Sequence, residues 1–338
     1  MKNIAFVYTA YQQNIVHALC LQKKIVIDVL FAREGIVLHD NACFNKIIRF
    51  ENLPYTIKNI ITYYRILFRS VVLPEIYGCK INLFSWTLAH PLVSFVISNN
   101  RTKVNIIEDG SGTYLLLKND FNLYKTKYIL PLLTDVFRAN YYFYKRKEIT
   151  CWSLYHGCYP SEKYYNKLIY SQYFKKAIEM VANLPDVKKI VLDENAIVYI
   201  TSPYVEFGLM SKKDYVSSII EAISILLIEH HTFTKIYWKL HPSTNRNNEI
   251  KILDIVTEET GVKFTIIDSK ENIEMIALHN KGKNICYYSF ASTSLYVIKS
   301  LNLLNTKVGL IKSSILEKKQ EYYLQLIQFY KKIGIDII

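Results

Sequence analysis

The second half of this chain alternates short apolar runs with longer amphipathic segments, and this alternation restricts the fold more than any other feature of the sequence. Short apolar runs bounded by turn residues are typical of buried strands, and long amphipathic segments are typical of helices. Their alternation predicts a doubly wound parallel sheet. The predicted strands are residues 196–201, 235–240, 263–267, 284–288 and 307–311, and the predicted helices are 213–230, 248–260, 271–279, 293–300 and 315–332.

The first half alternates in the same way but less regularly. It predicts strands at 4–8, 25–31, 81–84 and 104–108 and helices at 12–22, 57–68 and 87–98, while the tyrosine-rich stretch 124–173 is expected to contain several helices. Because 338 residues exceed the size of one ordinary core, we expect two domains. Turn residues near 183–195 place the boundary at about residue 190, giving domains 1–190 and 191–338.

Composition restricts the class of protein. With 51% hydrophobic and 21% charged residues the chain is globular, and no apolar run approaches the ~18 residues of a membrane-spanning helix. The six cysteines are scattered and form no C-x-x-C motif, which favours reduced thiols and a cytoplasmic location. The net charge of +13 either follows from a composition rich in lysine, isoleucine, asparagine and tyrosine, or suits an anionic partner, namely a membrane surface or an anionic sugar nucleotide. The lysines and arginines are too dispersed for a nucleic-acid arm, so no nucleic-acid partner is expected.

Two adjacent carboxylates close a predicted strand at Glu108-Asp109-Gly110. Gly110 permits a sharp turn and close approach of a substrate. If the strand continues, neighbouring acids point in opposite directions, so that one faces the substrate while backbone donors hold the other. Repulsion and burial raise the pKa of a substrate-facing acid toward the range of a general base, although a solvated Asp-Gly turn has the same sequence.

A histidine follows another predicted strand, in Lys239-Leu240-His241-Pro242. Pro242 disfavours helical backbone at His241 and so fixes the direction in which the imidazole leaves the strand. An imidazole titrates near neutrality and suits protonation of, or hydrogen bonding to, a leaving phosphate. A purely structural histidine is the competing interpretation.

A hydroxyl-rich turn follows the predicted strand 284–288 and leads into a helix. Its candidate phosphate-binding residues are Ser289, Ser292, Thr293 and Ser294. Backbone amides and hydroxyls at a helix start bind anions, and a plain N-cap is the simpler alternative. The chain has no D-x-D, G-x-G-x-x-G or Walker A motif, so we expect neither a metal site nor a cofactor.

In this order, the acid pair, the Lys-x-His-Pro motif and the serine-rich turn resemble bacterial sialyltransferases, namely the lipooligosaccharide sialyltransferases of glycosyltransferase family 52 and the related polysialyltransferases. The segment Val7-Tyr8-Thr9-Ala10-Tyr11-Gln12 is also similar to the family's strand followed by Thr-Pro-Leu-Gln, with Ala10 in place of proline. The second serine of the family's Ser-Ser pair is Thr293 here.

The resemblance implies a GT-B fold, in which two Rossmann-like domains face one another across a cleft. Domain 1–190 would bind the acceptor and domain 191–338 the nucleotide sugar. It implies an inverting, metal-independent transfer of sialic acid from CMP-sialic acid to a galactose-type hydroxyl of a surface glycan, in lipooligosaccharide or capsule synthesis. The acid pair would supply the base, with Asp109 preferred over Glu108, and His241 would assist departure of the phosphate.

The residues that the resemblance assigns to substrate binding are Thr9, Gln12, Gly110, Lys239, Pro242, Ser289, Ser292, Thr293 and Ser294. The expected location is cytoplasmic, with a possible peripheral contact on the inner face of the membrane. Another GT-B glycosyltransferase that moves a different sugar, such as glucose, is the alternative, and a nucleic-acid-binding protein is a distant one.

Overall fold

The chain folds into two compact units, Met1–Ala177 and Ile178–Ile338. A computed structural model describes residues 1–36, 43–51, 62, 79–86, 93, 96–97, 102–110, 149–156, 165–185, 187–231, 233, 235–269, 271–319 and 321–338. Most residues of the predicted helices 57–68 and 87–98, and much of the tyrosine-rich stretch, lie outside these residues.

The first unit contains a seven-stranded, all-parallel sheet in the order β3-β2-β1-β4-β5-β6-β7. Strand order reverses direction between β1 and β4, which makes this pair the switch point of the sheet. The elements are β1 (Lys2–Val7), α1 (Ala10–Lys23), β2 (Val29–Arg33), β3 (Ile47–Phe50), β4 (Ile81–Ser85), β5 (Thr102–Ile107), β6 (Ile149–Ser153), β7 (Tyr165–Leu168) and α2 (Ser171–Ala182).

The second unit repeats this design with six parallel strands in the order β10-β9-β8-β11-β12-β13 and a switch point between β8 and β11. Its elements are β8 (Ala196–Ile200), α3 (Lys212–Glu229), β9 (Lys235–Lys239), α4 (Arg246–Thr260), β10 (Phe264–Ile267), α5 (Ile273–His279), β11 (Ile285–Ser289), α6 (Thr293–Ser300), β12 (Thr306–Leu310), α7 (Ser314–Lys319), α8 (Glu321–Lys332) and β13 (Asp336–Ile337).

Local chemistry explains where several helices begin and end. Thr9, Ser211, Asn245 and Ser292 are N-cap residues whose side chains accept backbone N–H bonds. Gly261 ends α4 in the left-handed conformation, with φ of 71°. The central strands β8 and β11 are buried at every position, as expected when helices cover both faces of a parallel sheet.

A row of side-chain amides crosses four strands of the first sheet. Asn82 Nδ2 donates to Asn3 Oδ1 at 3.0 Å, and Asn105 Nδ2 donates to Asn82 Oδ1 at 2.7 Å. Trp152 Nε1 completes the row with a 3.1 Å bond to Asn105 Oδ1. The row satisfies polar groups on a largely buried sheet face, where an unbonded amide would be costly.

The sequence missed four strands and joined two helices. Strand β7 has the exposed, polar sequence Tyr-Asn-Lys-Leu, β3 is a half-exposed strand of four residues, and β13 has only two. Strand β6 is fully buried but lies in the tyrosine-rich stretch for which we expected helices. The predicted helix 315–332 is two helices, α7 and α8, and β13 adds a sixth strand to the predicted five.

Residues just before the predicted boundary belong to the second unit. The Asn280 side chain donates to Ile190 O at 2.7 Å and accepts from Leu192 N at 2.8 Å. These bonds fasten the segment before β8 to the end of α5. The division between the units therefore falls within α2, after Ala177, rather than near residue 190. The functional roles assigned to the two domains stay predictions.

The cysteines that the structure describes (Cys20, Cys43, Cys79, Cys151 and Cys286) carry free thiols. Among the described helices, none is both long enough and apolar enough to cross a membrane.

Candidate active site

The acid pair lies at the carboxyl end of β5, where the first unit also presents the turn between β1 and α1. Glu108 and Asp109 follow β5 directly, residues 8–9 form the turn, and residues 10–12 begin α1. Carboxyl ends of strands are where α/β sheets bind ligands. The structure brings together the candidates Thr9, Gln12, Glu108, Asp109 and Gly110 at this edge.

Glu108 is fully buried, and both of its carboxylate oxygens accept hydrogen bonds. Tyr11 Oη donates to Oε1, and the backbone N–H of Leu154 donates to Oε2 at 2.6 Å. Bonds to a charged acceptor are stronger than neutral ones and fix the carboxylate in place. Burial, together with the negative charge of Glu108, raises the pKa of the nearby Tyr155 hydroxyl. Glu108 is thus positioned as a structural anchor.

Asp109 turns the other way and its side chain is exposed. Although solvent reaches this carboxyl, surrounding protein atoms desolvate it and raise its pKa to about 6, while a hydrogen bond from Gln12 acts in the opposite direction. Gln12 Nε2 donates that bond to Asp109 Oδ1. An exposed carboxylate with this pKa is ionised at neutral pH and still basic enough to accept a proton.

Gln12 and its neighbours have local roles that the sequence did not reveal. The Gln12 side chain is fully buried and accepts from Tyr8 N at 2.6 Å while it holds Asp109. Thr9 caps α1, with Oγ1 accepting from Gln12 N at 3.2 Å. Gly110 has φ of 93°, a conformation that favours glycine. The structure therefore shows Gln12 and Thr9 holding the turn and the acid, and the substrate-binding role that the resemblance implied for them stays a prediction.

In the second unit the candidate residues surround the switch point between β8 and β11. The loop after β8 links both neighbours: Thr201 Oγ1 accepts from His241 N at 2.7 Å, and Ser202 Oγ donates to Ala291 O at 3.0 Å. His241 follows β9 and the serine-rich turn follows β11, on either side of β8. Thr201 and Ser202 thus join the histidine loop to the hydroxyl turn.

The hydrogen bond to the His241 ring determines its tautomer. Ser243 N donates to Nδ1 at 3.1 Å, so Nδ1 is unprotonated and the neutral ring carries its proton on Nε2. Desolvation lowers the pKa of His241 and Lys239 lowers it further, while Glu206 acts in the opposite direction. At neutral pH the half-buried ring is therefore a neutral hydrogen-bond donor through Nε2.

Lys239 does not reach the serine-rich turn. Its side chain is buried, and Nζ donates to Ser269 O at 2.6 Å, in the loop after β10. Burial lowers its pKa, against the nearby carboxylates of Glu274, Asp268 and Glu271. Strand β8 separates β9 from β11, a lateral distance of ~10 Å. The structure places Lys239 in an internal polar cluster, and Pro242 is an exposed residue that follows the histidine.

The serine-rich turn begins α6. Ser292 is the N-cap, with Oγ accepting from Ser294 N at 3.3 Å, and Thr293 is the first helical residue. Tyr330 Oη from α8 donates to Ser292 O at 2.6 Å and steadies the turn. Ser289 is buried, and its Oγ has no hydrogen-bond partner in the described part of the chain. The turn has the form of a phosphate site, with half-buried hydroxyls at a helix start.

Three residues that hold the candidate side chains in place were not predicted from the sequence. Thr201 ends a predicted strand beside His241, and strand order would have indicated it. Tyr11 belongs to the segment used for the family resemblance, but nothing in its spacing links it to Glu108, 97 residues away. Tyr330 lies on α8, 38 residues after Ser292, and no sequence signal links the two.

A search of the described residues finds no group of three or more histidine, cysteine, aspartate or glutamate side chains placed to hold a metal ion. The candidate residues of the first unit present hydroxyls, amides and two carboxyls, and those of the second unit present hydroxyls, amides and one imidazole. They suit acid–base chemistry and anion binding.

Comparison with solved structures shows the fold. The chain matches a UDP-GlcNAc 2-epimerase from Methanocaldococcus jannaschii with a TM-score of 0.53 and 12% identity, covering 99% of this chain and 88% of that one. It matches an alpha/beta-galactoside alpha-2,3-sialyltransferase from Photobacterium phosphoreum with a TM-score of 0.53 and 10% identity, covering 100% and 98%. The two parallel-sheet α/β domains are thus of the GT-B type, which confirms the predicted fold class.

Comparison of sequences shows the family. No curated protein matches the chain. The profile of the family described as alpha-2,8-polysialyltransferase (POLYST) matches residues 24–309, which is most of the chain and includes the acid pair, His241 and the serine-rich turn. The predicted resemblance is confirmed: this chain belongs to the alpha-2,8-polysialyltransferase family, and it is a glycosyltransferase that acts as a sialyltransferase on glycans.

Proposed function

We propose that the chain transfers sialic acid from CMP-sialic acid to a hydroxyl of a bacterial surface glycan, by an inverting mechanism without metal or cofactor. A galactose-type hydroxyl is the first acceptor to test. The alpha-2,8 linkage in the family's description adds a hydroxyl of a terminal sialic acid as the second. Lipooligosaccharide and capsule are the glycans for which such a transfer would be used.

The separate environments of the two acids carry this proposal. Glu108 is buried and bonded at both oxygens, whereas Asp109 is exposed with a pKa raised to about 6. Asp109 is therefore the base that removes the proton from the acceptor hydroxyl. The acceptor oxygen then forms a bond to the anomeric carbon as the bond from that carbon to the phosphate oxygen breaks. Direct displacement inverts the anomeric centre.

His241 and the serine-rich turn receive the departing phosphate in this proposal. The Nε2–H of neutral His241 is a hydrogen-bond donor suited to the oxygen on which negative charge develops. Ser292 and Thr293, at the start of α6, offer hydroxyls and helix-terminal amides to the same anion. CMP leaves with the charge that these groups stabilise.

A second candidate is a GT-B enzyme that uses a uridine nucleotide. The fold match to UDP-GlcNAc 2-epimerases favours testing it, because the fold alone does not determine the sugar. The nucleic-acid-binding alternative has only the net charge of +13 in its favour. That charge also supports a peripheral contact with an anionic inner-membrane surface by a protein located in the cytoplasm.

Calorimetric titration with CMP, UDP and ATP tests the proposal. We expect CMP to bind most tightly, and the Ser292→Ala/Thr293→Ala variant to bind it more weakly, by roughly tenfold for each hydrogen bond lost to the phosphate. The matched control is Ser224→Ala/Thr257→Ala, which removes the same groups from α3 and α4. Preference for UDP would replace the proposal with the second candidate. Failure to bind any of the three nucleotides would refute both.

A further inference from the structure

Two lysines lie over one tryptophan on the β7 side of the first sheet, and a third lysine occupies the same sheet face. Strand register places Lys103 on β5, Trp152 on β6 and Lys167 on β7 on the same face. Lys23, the last residue of α1, reaches this face from above. The Nζ atoms of Lys23 and Lys167 lie 4.8 Å and 5.6 Å from the centroid of the Trp152 ring.

The end of α1 is fastened to this location. Gln22 Nε2 donates to Leu168 O at 3.0 Å, and Gln22 Oε1 accepts from Tyr170 N at 2.9 Å. Helix and edge strand therefore hold their lysines close together as fixed neighbours. Trp152 itself is buried.

The electrostatics of the cluster are unfavourable without an anion. Desolvation lowers the pKa of Lys23, and the positive charges of Lys167 and Lys103 lower it further. Within the described residues, no carboxylate lies at salt-bridge distance from these three lysines. Contact with the tryptophan face compensates for only part of the repulsion. All three side chains are exposed, so an external anion can reach them.

Two exposed tyrosines border the lysines. Tyr165 lies two residues before Lys167 on the same strand face, and Tyr170 follows β7; each is 57% exposed. Tyrosine and lysine together suit the headgroup region of a bilayer, where the ring enters the interface and the ammonium meets lipid phosphate. A soluble polyanion would use the lysines but gain little from the rings.

We propose that Lys23, Lys103, Lys167, Tyr165 and Tyr170 form a docking surface for anionic phospholipid. This assigns a location to the membrane contact put forward above and is independent of the reaction that the chain performs. Each lysine near an anionic surface strengthens binding by about fivefold, so the three together contribute on the order of 10²-fold.

Co-sedimentation of the full-length protein with vesicles tests this surface. We expect binding to phosphatidylcholine vesicles that contain phosphatidylglycerol and little binding to phosphatidylcholine alone. Lys23→Gln/Lys103→Gln/Lys167→Gln should weaken binding by at least ~10-fold. The control Lys212→Gln/Lys213→Gln/Lys251→Gln removes the same charge from exposed lysines of α3 and α4 and should leave binding nearly unchanged. Equal losses in the two variants would show nonspecific charge attraction and overturn the surface.

Two further measurements distinguish a lipid surface from a soluble polyanion as the ligand. They also test whether loss of binding comes from misfolding of the variant. Tyr165→Ser/Tyr170→Ser should weaken vesicle binding and leave binding to dextran sulfate unchanged. If dextran sulfate competes fully and the tyrosine variant binds vesicles normally, the partner is a soluble polyanion and the lipid proposal is wrong. Lys23→Arg/Lys103→Arg/Lys167→Arg should retain binding, and loss in this charge-preserving variant would also contradict the proposal.

Discussion

The two units hold their reactive groups in different ways. In the first unit, side chains of α1 position the acid pair from 97 residues away, with Tyr11 on Glu108 and Gln12 on Asp109. In the second unit, backbone N–H groups close in sequence hold the reactive side chains. Ser243 N fixes the His241 ring from two residues away, and Ser294 N bonds the Ser292 hydroxyl from the same distance.

This difference determines what a mutation can change. A side chain that holds a carboxyl can be replaced, so the pKa of Asp109 is open to adjustment by residues that touch no substrate. A backbone N–H persists through substitution of Ser243, so the tautomer of His241 is built into the loop itself. We therefore expect substitutions outside the substrate contacts to change the activity of the acid pair in the first unit. In the second unit we expect activity to change chiefly when the reactive residues themselves are substituted.

The largest effect should come from the acid pair. Asp109→Asn removes the proposed base and should lower kcat/KM by about 10²–10⁴-fold with little change in stability. Glu108→Gln places an amide N–H against the Tyr11 or Leu154 donor, so it should destabilise the fold by about 1–3 kcal/mol. The folded fraction should retain most of its activity. Steady-state rates and thermal unfolding of both variants measure these effects; if Glu108→Gln is the more inactive of the two, the base is Glu108.

The second effect in size concerns His241. His241→Ala removes a donor to developing charge and should lower kcat by about 10²–10³-fold. His241→Gln returns an N–H near the position of Nε2 but cannot become a strong acid. Partial recovery of the rate in the glutamine variant would support the neutral-donor role that follows from the Ser243 bond. A glutamine variant as slow as the alanine variant would instead indicate proton transfer from an imidazolium.

The smallest effect is a shift in the pH profile. Asp109 must be ionised to act as base, so kcat/KM should rise with pH through about 6, the raised pKa of this carboxyl. Gln12 donates to the carboxylate and lowers that pKa, so Gln12→Ala should move the rising limb to higher pH. Gln22→Ala removes the same group from the same helix, away from the acids, and serves as the control. If the rising part of the pH profile stays in place in Gln12→Ala, Gln12 does not influence the pKa of the base.

The strands and strand-end residues that follow from short apolar runs could be predicted from the sequence. Five of the six strands of the second unit were predicted within a residue or two of their ends because each is a short apolar run, and two of them, β8 and β11, are buried at every position. The positions of Asp109 and His241 at strand ends followed from the same pattern. The polar strand β7 gave no such signal, because its residues pair with a neighbour without filling the core.

Hydrogen bonds between side chains far apart in the sequence could not be predicted, for a different reason. The bond from Tyr11 to Glu108 depends on where α1 crosses the sheet, and the turn of Lys239 toward Ser269 depends on which face of β9 it occupies. Sequence spacing specifies neither. The pattern correctly placed Lys239 at a strand end, and the substrate-binding role that the resemblance implied for it stays a prediction beside its buried contact with Ser269.

The amide row across the first sheet has a consequence for accuracy at the acid pair. Parallel strands are joined by long connections, so no tight turn sets how far one strand slides along the next. Asn105 accepts from Trp152 and donates to Asn82, which in turn donates to Asn3, so side-chain bonds join four strands in a diagonal row. Asn105 lies three residues before Glu108. The row therefore fixes the position of β5 along its neighbouring strands. It thereby fixes how far beyond the sheet edge the carboxyls of Glu108 and Asp109 lie.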